Sequence, residues 1–289
     1  MSSGPTWRWE RVNPEGLKPV GGRPPLKQYV RSLWRRRHFI VADSRARVSS
    51  SGRQMLLGQA WLILKPVLEA GVYLIIFGLI LKSSRGIDNF LGYLVVGVFL
   101  FQYTTRSLTT GGTAVITGRS LIHAFSFPRA ALPIAVVIRE TLSMFPVLAA
   151  MVVLILVMPP GAELSWLWLL FPLVFLLQLV FNFGVAMIAS RLVAHTRDVT
   201  HLLNLFARFW FYGSAVFFSY ERFIDSPAFL TFIKLNPLFV VLDMSRDLLL
   251  YARLPAAQSW VQLACWAVVM FVVGLVFFWR GEESYGRDS

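Results

Sequence analysis

The chain is 289 residues long, with 56% hydrophobic and only 15% charged residues, where a soluble domain carries roughly 45–50% and about 25%. That balance excludes an ordinary water-soluble enzyme and a disordered chain, and nucleic acid is not needed to explain the net charge of +13. The single cysteine, Cys265, excludes an intrachain disulfide and any multi-cysteine metal site.

Residues 1–25 are polar and rich in Pro and Gly, which predicts a mobile tail. No apolar run follows its first charges, so a signal peptide is not expected there. Residues 26–48 predict an amphipathic helix lying at the membrane interface. Leu26, Tyr29, Val30, Leu33 and Trp34 share one face, continued by Ile40 and Val41, while Lys27, Arg31, Arg35, Arg36 and His38 populate the rest. Such a helix is either a passive anchor or a belt that takes force from a partner.

A membrane-crossing helix needs about 20 predominantly apolar residues. Stretches at 60–81, 90–108, 130–158, 166–190, 201–218 and 258–279 qualify. The third contains Pro133 and Pro146, and the fifth is rich in Phe and interrupted by Arg208. Residues 235–250 are apolar but half-length. They are broken at Asn236-Pro237 and charged at Asp243, Arg246 and Asp247, which predicts one or two short re-entrant or surface helices. The predicted fold is therefore all-α: a polytopic membrane protein with six transmembrane helices, an N-terminal interfacial helix and short external helices.

An even number of spans puts both ends on one side. Of the 28 Lys and Arg residues, 13 lie at or before Lys65. The segments after spans 2 and 4 add Arg106, Arg119, Arg129, Arg191 and Arg197 on that side. The excess of Lys and Arg marks the cytoplasmic side, so both termini are expected in the cytoplasm and the basic charge is an orientation signal.

Residues 113–129 form a short, basic, moderately apolar loop ending at Pro128, read either as a surface helix or as a plain connector. Gly112 to Ser120 does not make a phosphate-binding loop. Its glycines are separated by five residues where four are needed, and Arg119 stands where Lys belongs. If ATP drives this chain, another subunit binds it. Gly71 and Gly78 share a face of span 1, for packing within the bundle or for a dimer seam. Glu69 in span 1, and Arg139 and Glu140 in span 3, are costly in lipid. They read as structural ion pairs or hydrogen bonds, with a proton relay as the alternative. Deep aromatics, Tyr73 and Phe77 in span 1 and Phe206, Phe209, Trp210 and Tyr212 in span 5, are either lipid-facing and core residues or faces on which sugar rings stack. His38, His123, His195 and His201 lack a carboxylate-rich cluster, so no metal or catalytic set emerges.

Four segments together carry a resemblance. Leu57-Gly58, Trp61 and Pro66 lead into span 1; Phe127-Pro128-Arg129 enters span 3; Arg197-Asp198 precedes span 5; and Asn236-Pro237-Leu238 is followed by Arg246. In this order and topology they resemble the membrane subunits of ABC exporters of the ABC-2 class, of the type exporting O-antigen, teichoic acid or lipid-linked galactan. The resemblance covers about residues 26–285, with the transmembrane domain at 56–280 and a cytoplasmic C-terminus at 281–289. The tail and Ser49 to Arg53 depart from the family pattern.

The resemblance implies a homodimer in the plasma membrane working with two copies of a separate ABC ATPase. The partner holds ATP and Mg, and this chain has no cofactor of its own. It implies that the 113–129 loop docks on the ATPase through Arg119, His123, Phe125 and Phe127. It implies that Asn236, Pro237 and Arg246 belong to an external re-entrant segment. The cargo would be a polyprenyl-diphosphate-linked polysaccharide, its diphosphate met by Arg35, Arg36 and Arg208. The alternatives are a drug or small-lipid exporter, which this chain length suits less well, and a polytopic glycolipid transferase, for which acidic metal motifs are missing.

Overall fold

A computed structural model describes residues 23–50, 60–73, 75–76, 87, 89–124, 127–157, 162, 164–218 and 227–286. The tail up to residue 22, Phe77, Phe125 and residues 287–289 lie outside the described residues, as do the side chains of Tyr73 and His123. Every regular element described is helical. The elements that fall within the predicted spans are α3 (Trp61–Tyr73), α4 (Phe90–Gly112), α7 (Ala131–Val157), α8 (Phe171–His195), α9 (Val199–Gly213) and α12 (Ala257–Arg280). The others are α1 (Leu26–Arg35), α2 (Arg37–Ser50), α5 (Ala114–Thr117), α6 (Arg119–Ala124), α10 (Pro227–Leu235) and α11 (Pro237–Leu249).

Among the described residues, three helical stretches are long and apolar enough to cross a membrane: Ala131–Val157, Trp166–His195 and Ala257–Arg280. The second begins as a 3-10 turn, Trp166–Leu170, capped by the Ser165 hydroxyl, and continues into α8 through Pro172 at its first turn. Helix α4 is also 23 residues long, enough for about 30 Å, yet it carries Gln102, Arg106 and several hydroxyl residues. Its position explains this. Leu94 to Phe101 is buried throughout, so α4 is the central helix and meets protein rather than lipid. Helices α7 and α12 expose Phe145, Val153, Val268, Val269 and Val272, and their composition suits lipid.

Helices α8 and α12 approach most closely at Gly184 and Gly274. A Cβ on Gly184 would collide with the Met270 carbonyl, and one on Gly274 would fall 2.8 Å from the Gly184 Cα. Small residues let membrane helices touch backbone to backbone.

Two predicted boundaries change. The interfacial segment 26–48 is two helices joined at Arg36, because the chain closes α1 with Arg36 N–H on the Leu33 carbonyl. Span 5 ends at Gly213 instead of residue 218, and at 15 residues α9 reaches only about 22 Å. The cause is local: Ala215 takes a positive φ of 50°, and buried side chains hold the carbonyls that follow. Helix α11 starts where expected, at Pro237, capped by the Asn236 side chain on the Leu238 N–H at 3.0 Å.

Two ends of the bundle separate cleanly. Trp279 at the end of α12 donates to the Pro24 carbonyl at 2.9 Å, and Arg191 near the end of α8 donates to the Phe277 carbonyl. The start of α7 lies there too. We call this the terminal face, because both described ends of the chain meet on it. The start of α4, the end of α9 and the α10–α11 pair gather at the opposite face.

Candidate functional site

The terminal face is organised by a buried carboxylate, Glu282. Tyr29 Oη of α1 donates to its Oε2 at 2.7 Å, and the Arg129 N–H donates to its Oε1 at 2.9 Å. The Arg129 guanidinium also donates to the Glu282 carbonyl, and Tyr29 Oη accepts from the Ala130 N–H at 3.0 Å. Three segments remote in sequence are thereby joined: the first turn of α1, the entry to α7 where the 113–129 loop ends, and the turn after α12. Arg23 adds a second tie, its N–H on Glu283 at 3.1 Å and its guanidinium 4.2 Å from the Trp279 ring centre. Burial pushes the Glu282 carboxyl above the ordinary carboxylate range, with the two donors opposing that rise. Burial and the neighbouring Glu282 push the Tyr29 phenol up as well.

Expected site residues distribute unevenly around this node. Tyr29, expected to face the acyl boundary, is buried in protein, while Trp34 is 68% exposed and Val30 is also open. Arg36 lies 5.9 Å from the Phe127 ring centre, in a small cleft shared with Phe39, Ile40 and Leu121. The α1–α2 joint therefore rests directly on the end of the 113–129 loop. Arg35 is exposed, and Arg208 is exposed on α9; among the described residues no contact joins Arg208 to Arg35 or Arg36. Arg119 begins α6, half-exposed.

The opposite face is organised by a buried cation. Arg246 is 1% exposed. Its guanidinium donates to the carbonyls of Tyr93 (3.2 Å), Ala215 (3.1 Å) and Val216 (3.0 Å) and lies 3.3 Å from the Tyr93 ring centre. Gly97 makes room for it: a Cβ there would fall 2.6 Å from Nη2. Tyr93 Oη donates in turn to Ala215 and Phe218. Asn236 Oδ1 accepts from Trp210 Nε1 at 2.9 Å, and its Nδ2 donates to Gly213 and Ser214. Asn236 and Arg246 thus converge on the break that ends α9, and they hold it from α11.

Of the aromatics expected to meet sugar, Phe206, Phe209 and Trp210 line an apolar groove of about 680 Å³ bounded by α8, α9, α10 and α12. Phe209 is 68% and Tyr212 54% exposed. Trp210 is partly buried against Phe101, Phe181 and Phe206. In the bundle, Gln102 of α4 donates to Glu69 of α3 and accepts from Arg106 at 3.2 Å. Glu69 is thereby held in a hydrogen-bonded pair. Among the described residues no cluster of His, Cys, Asp and Glu is suited to a metal ion.

No protein-family model matches the chain. It is 27% identical to the O-antigen export system permease protein RfbA of Myxococcus xanthus over 259 residues, which is 90% of this chain and 98% of that protein. It is 29% identical to the O-antigen export system permease protein RfbA of Klebsiella pneumoniae over 236 residues, 82% of this chain and 87% of that protein. The chain is thus similar, over most of its length, to permease proteins of O-antigen export systems. Its long apolar helices fit a multi-pass membrane protein. Of the segments that carried the resemblance in sequence, Arg129, Asn236 and Arg246 sit at the two nodes. Glu282 and Tyr93 were not singled out, because each acts through partners more than 100 residues away.

Proposed function

We propose that this chain is the permease of an ATP-driven exporter that carries a polyprenyl-diphosphate-linked polysaccharide across the plasma membrane. The observation that carries the reading is its similarity, across at least 82% of its length, to O-antigen export permeases. In this reading six spans thread the bilayer, with α3, α4, α7, α8, α9 and α12 at their cores. Helices α10 and α11 re-enter from outside, and both termini are cytoplasmic. The close meeting of residues 23–29 with residues 279–285 supports an even number of crossings.

Two copies of the chain enclose the path, and two copies of a separate ABC ATPase dock on the terminal face. Docking centres on the 113–129 loop. The Glu282 node supports a mechanical role for that face. A push on the loop reaches Arg129, and through Glu282 it moves α1 and the end of α12 together. In this reading Phe209 and Tyr212, exposed on α9, stack against sugar rings, while the diphosphate stays with Arg35 and Arg36 at the membrane surface. Cell-wall galactan and O-antigen are the cargoes of choice.

The test is reciprocal purification of the full chain with the ABC ATPase encoded beside it. The reading expects a stable complex whose ATP hydrolysis needs both proteins, and intracellular accumulation of a lipid-linked glycan when the permease is depleted. Failure to form the complex, or an unchanged pool of lipid-linked glycan, contradicts it.

A further inference from the structure

Helix α4 is apolar and buried over its first half only. Beyond Phe101 one face of it turns polar and comes partly into the open, at Gln102, Thr105, Arg106 and Thr109. These positions recur every three or four residues and so form one stripe. Gln102 lies ten residues from the end of α4 at Gly112, about 15 Å along the axis. The stripe therefore runs from the terminal face to about half the depth of a bilayer core of about 30 Å. Val95 and Val98 continue the same face and are buried, so the polar surface ends there.

Helix α9 presents a matching flank. Leu203 sits beside Gly112, and Trp210 and Phe211 pack on Phe101, which fixes how α9 meets α4. The flank of α9 toward α8 is apolar and carries Phe206 and Gly213 into the groove. The flank away from α8 carries Asn204 and Arg208, both exposed. On α4, Leu100, Thr104 and Gly111 mark the side toward α8, through Gln178 and Ala186. Thr105 and Thr109 lie on the side away from it. The two polar edges thus border one cleft, bounded on its other side by α3, where Gln102 donates to Glu69.

Hydrocarbon is a poor neighbour for this cleft. Arg208 lies nine residues into α9, about 14 Å along the axis, and a cation at that depth is costly in lipid. Among the described residues no carboxylate lies within ion-pair distance of it. A second copy of the chain is a poor seal as well. It brings the same cations, and the carboxylates on the described spans are engaged: Glu69 by Gln102, and Glu140 by Arg139 at 3.8 Å. Water and a polar solute fit. Thr109 Oγ1 donates to the Thr105 carbonyl at 2.9 Å, which leaves its lone pairs to accept from an incoming donor, and the Asn204 amide both donates and accepts. Such a wall matches sugar hydroxyls, and it matches a lipid or an apolar drug badly.

We propose that the cleft between α3, α4 and α9 is the hydrated surface along which the sugar chain of the cargo enters from the terminal face. Thr109 of α4 and Asn204 of α9 hydrogen-bond its hydroxyls. The inference rests on the export reading above and names the side chains that the glycan meets.

Cysteine labelling of the full chain tests the water, and a variant without the polar contacts tests the occupant. In a Cys265→Ser background, the single variants Thr109→Cys, Arg208→Cys and Phe206→Cys are placed in lipid vesicles. A membrane-impermeant methanethiosulfonate is added at the terminal face. Phe206 lies on the apolar flank within about 3 Å of the depth of Arg208. Thr109→Cys and Arg208→Cys are expected to react at least tenfold faster than Phe206→Cys. The double variant Thr109→Val, Asn204→Leu is close to wild type in size. It is expected to lower glycan export at least fivefold, read as lipid-linked glycan accumulating in cells, while the complex with the ATPase still forms. Labelling no faster than at Phe206, a disulfide joining most copies in pairs through Thr109→Cys, or wild-type export by the double variant each overturns the proposal. Labelling needs neither ATPase nor cargo. A chain that labels as expected yet binds no ATPase therefore overturns the export reading, and with it the sugar as occupant, while the wet cleft stands.

Discussion

The two ends of this bundle each bury one ionisable side chain, and they use it in opposite ways. At the opposite face Arg246 satisfies fixed carbonyls on α4 and on the turn ending α9. At the terminal face Glu282 gathers donors from the first turn of α1 and from the entry to α7. A cation suits the first task because a broken helix leaves carbonyls unpaired and no water to bind them. An anion suits the second because loop ends and phenols offer donors. The first node freezes a break inside the bundle; the second ties together segments that lie outside it. One face is stiffened and the other is linked.

The comparison is most sharply broken at Arg246. Replacing it with Met removes charged donors from three carbonyls, hydrogen bonds worth about 1.5–3 kcal/mol each, with Ala215 keeping the Tyr93 hydroxyl as a second donor. The expected loss is at least about 3 kcal/mol, read as a lower thermal unfolding temperature of the detergent-solubilised chain. Glu282→Gln keeps the shape but presents an amide to one of two donors, and about 1–3 kcal/mol should go. Its signature lies elsewhere: ATP hydrolysis of the assembled exporter should persist while glycan export falls, because the node transmits rather than builds.

The Glu282 carboxyl also predicts a pH dependence. Its folded-state proton affinity is raised by burial, so the folded chain holds a proton that the unfolded chain releases. The stabilisation is complete below the ordinary carboxylate range and is lost as pH rises through the raised folded value. Unfolding temperatures measured upward from pH 4 should fall in wild type and fall less in Glu282→Gln.

Asn236→Ala removes the cap of α11 and the acceptor for Trp210, for about 1–2 kcal/mol, with a change in Trp fluorescence. The smallest effect belongs to Asp43, which pairs with Arg47 at 2.9 Å on α2 with both side chains open to solvent. Asp43→Ala should shift stability by less than about 0.5 kcal/mol.

The spans built from uninterrupted apolar sequence were legible, because α7, α8 and α12 are long and apolar and composition records that directly. Helix α4 was legible despite Gln102 and Arg106 because Leu94 to Phe101 is apolar throughout. The end of α9 was not: Phe217 and Phe218 continue the apolar run, and only Arg246, a distant residue, shows why the helix stops. Asn236 and Arg246 were flagged by resemblance, and their partners became visible only in three dimensions. The Tyr29–Glu282 bond joins residues 253 apart in sequence, and no local pattern encodes such a pairing. The Gly184–Gly274 contact was hidden for the same reason.

The account turns on whether this permease moves a lipid-linked glycan under power supplied by an ABC ATPase. Inside-out vesicles carrying the assembled exporter and a radiolabelled polyprenyl-diphosphate glycan on their outer surface measure this directly. With ATP, the label should become protected from added glycosidase, and protection should vanish without ATP. Protection that develops equally without ATP, or a label that stays fully accessible with it, would contradict the account.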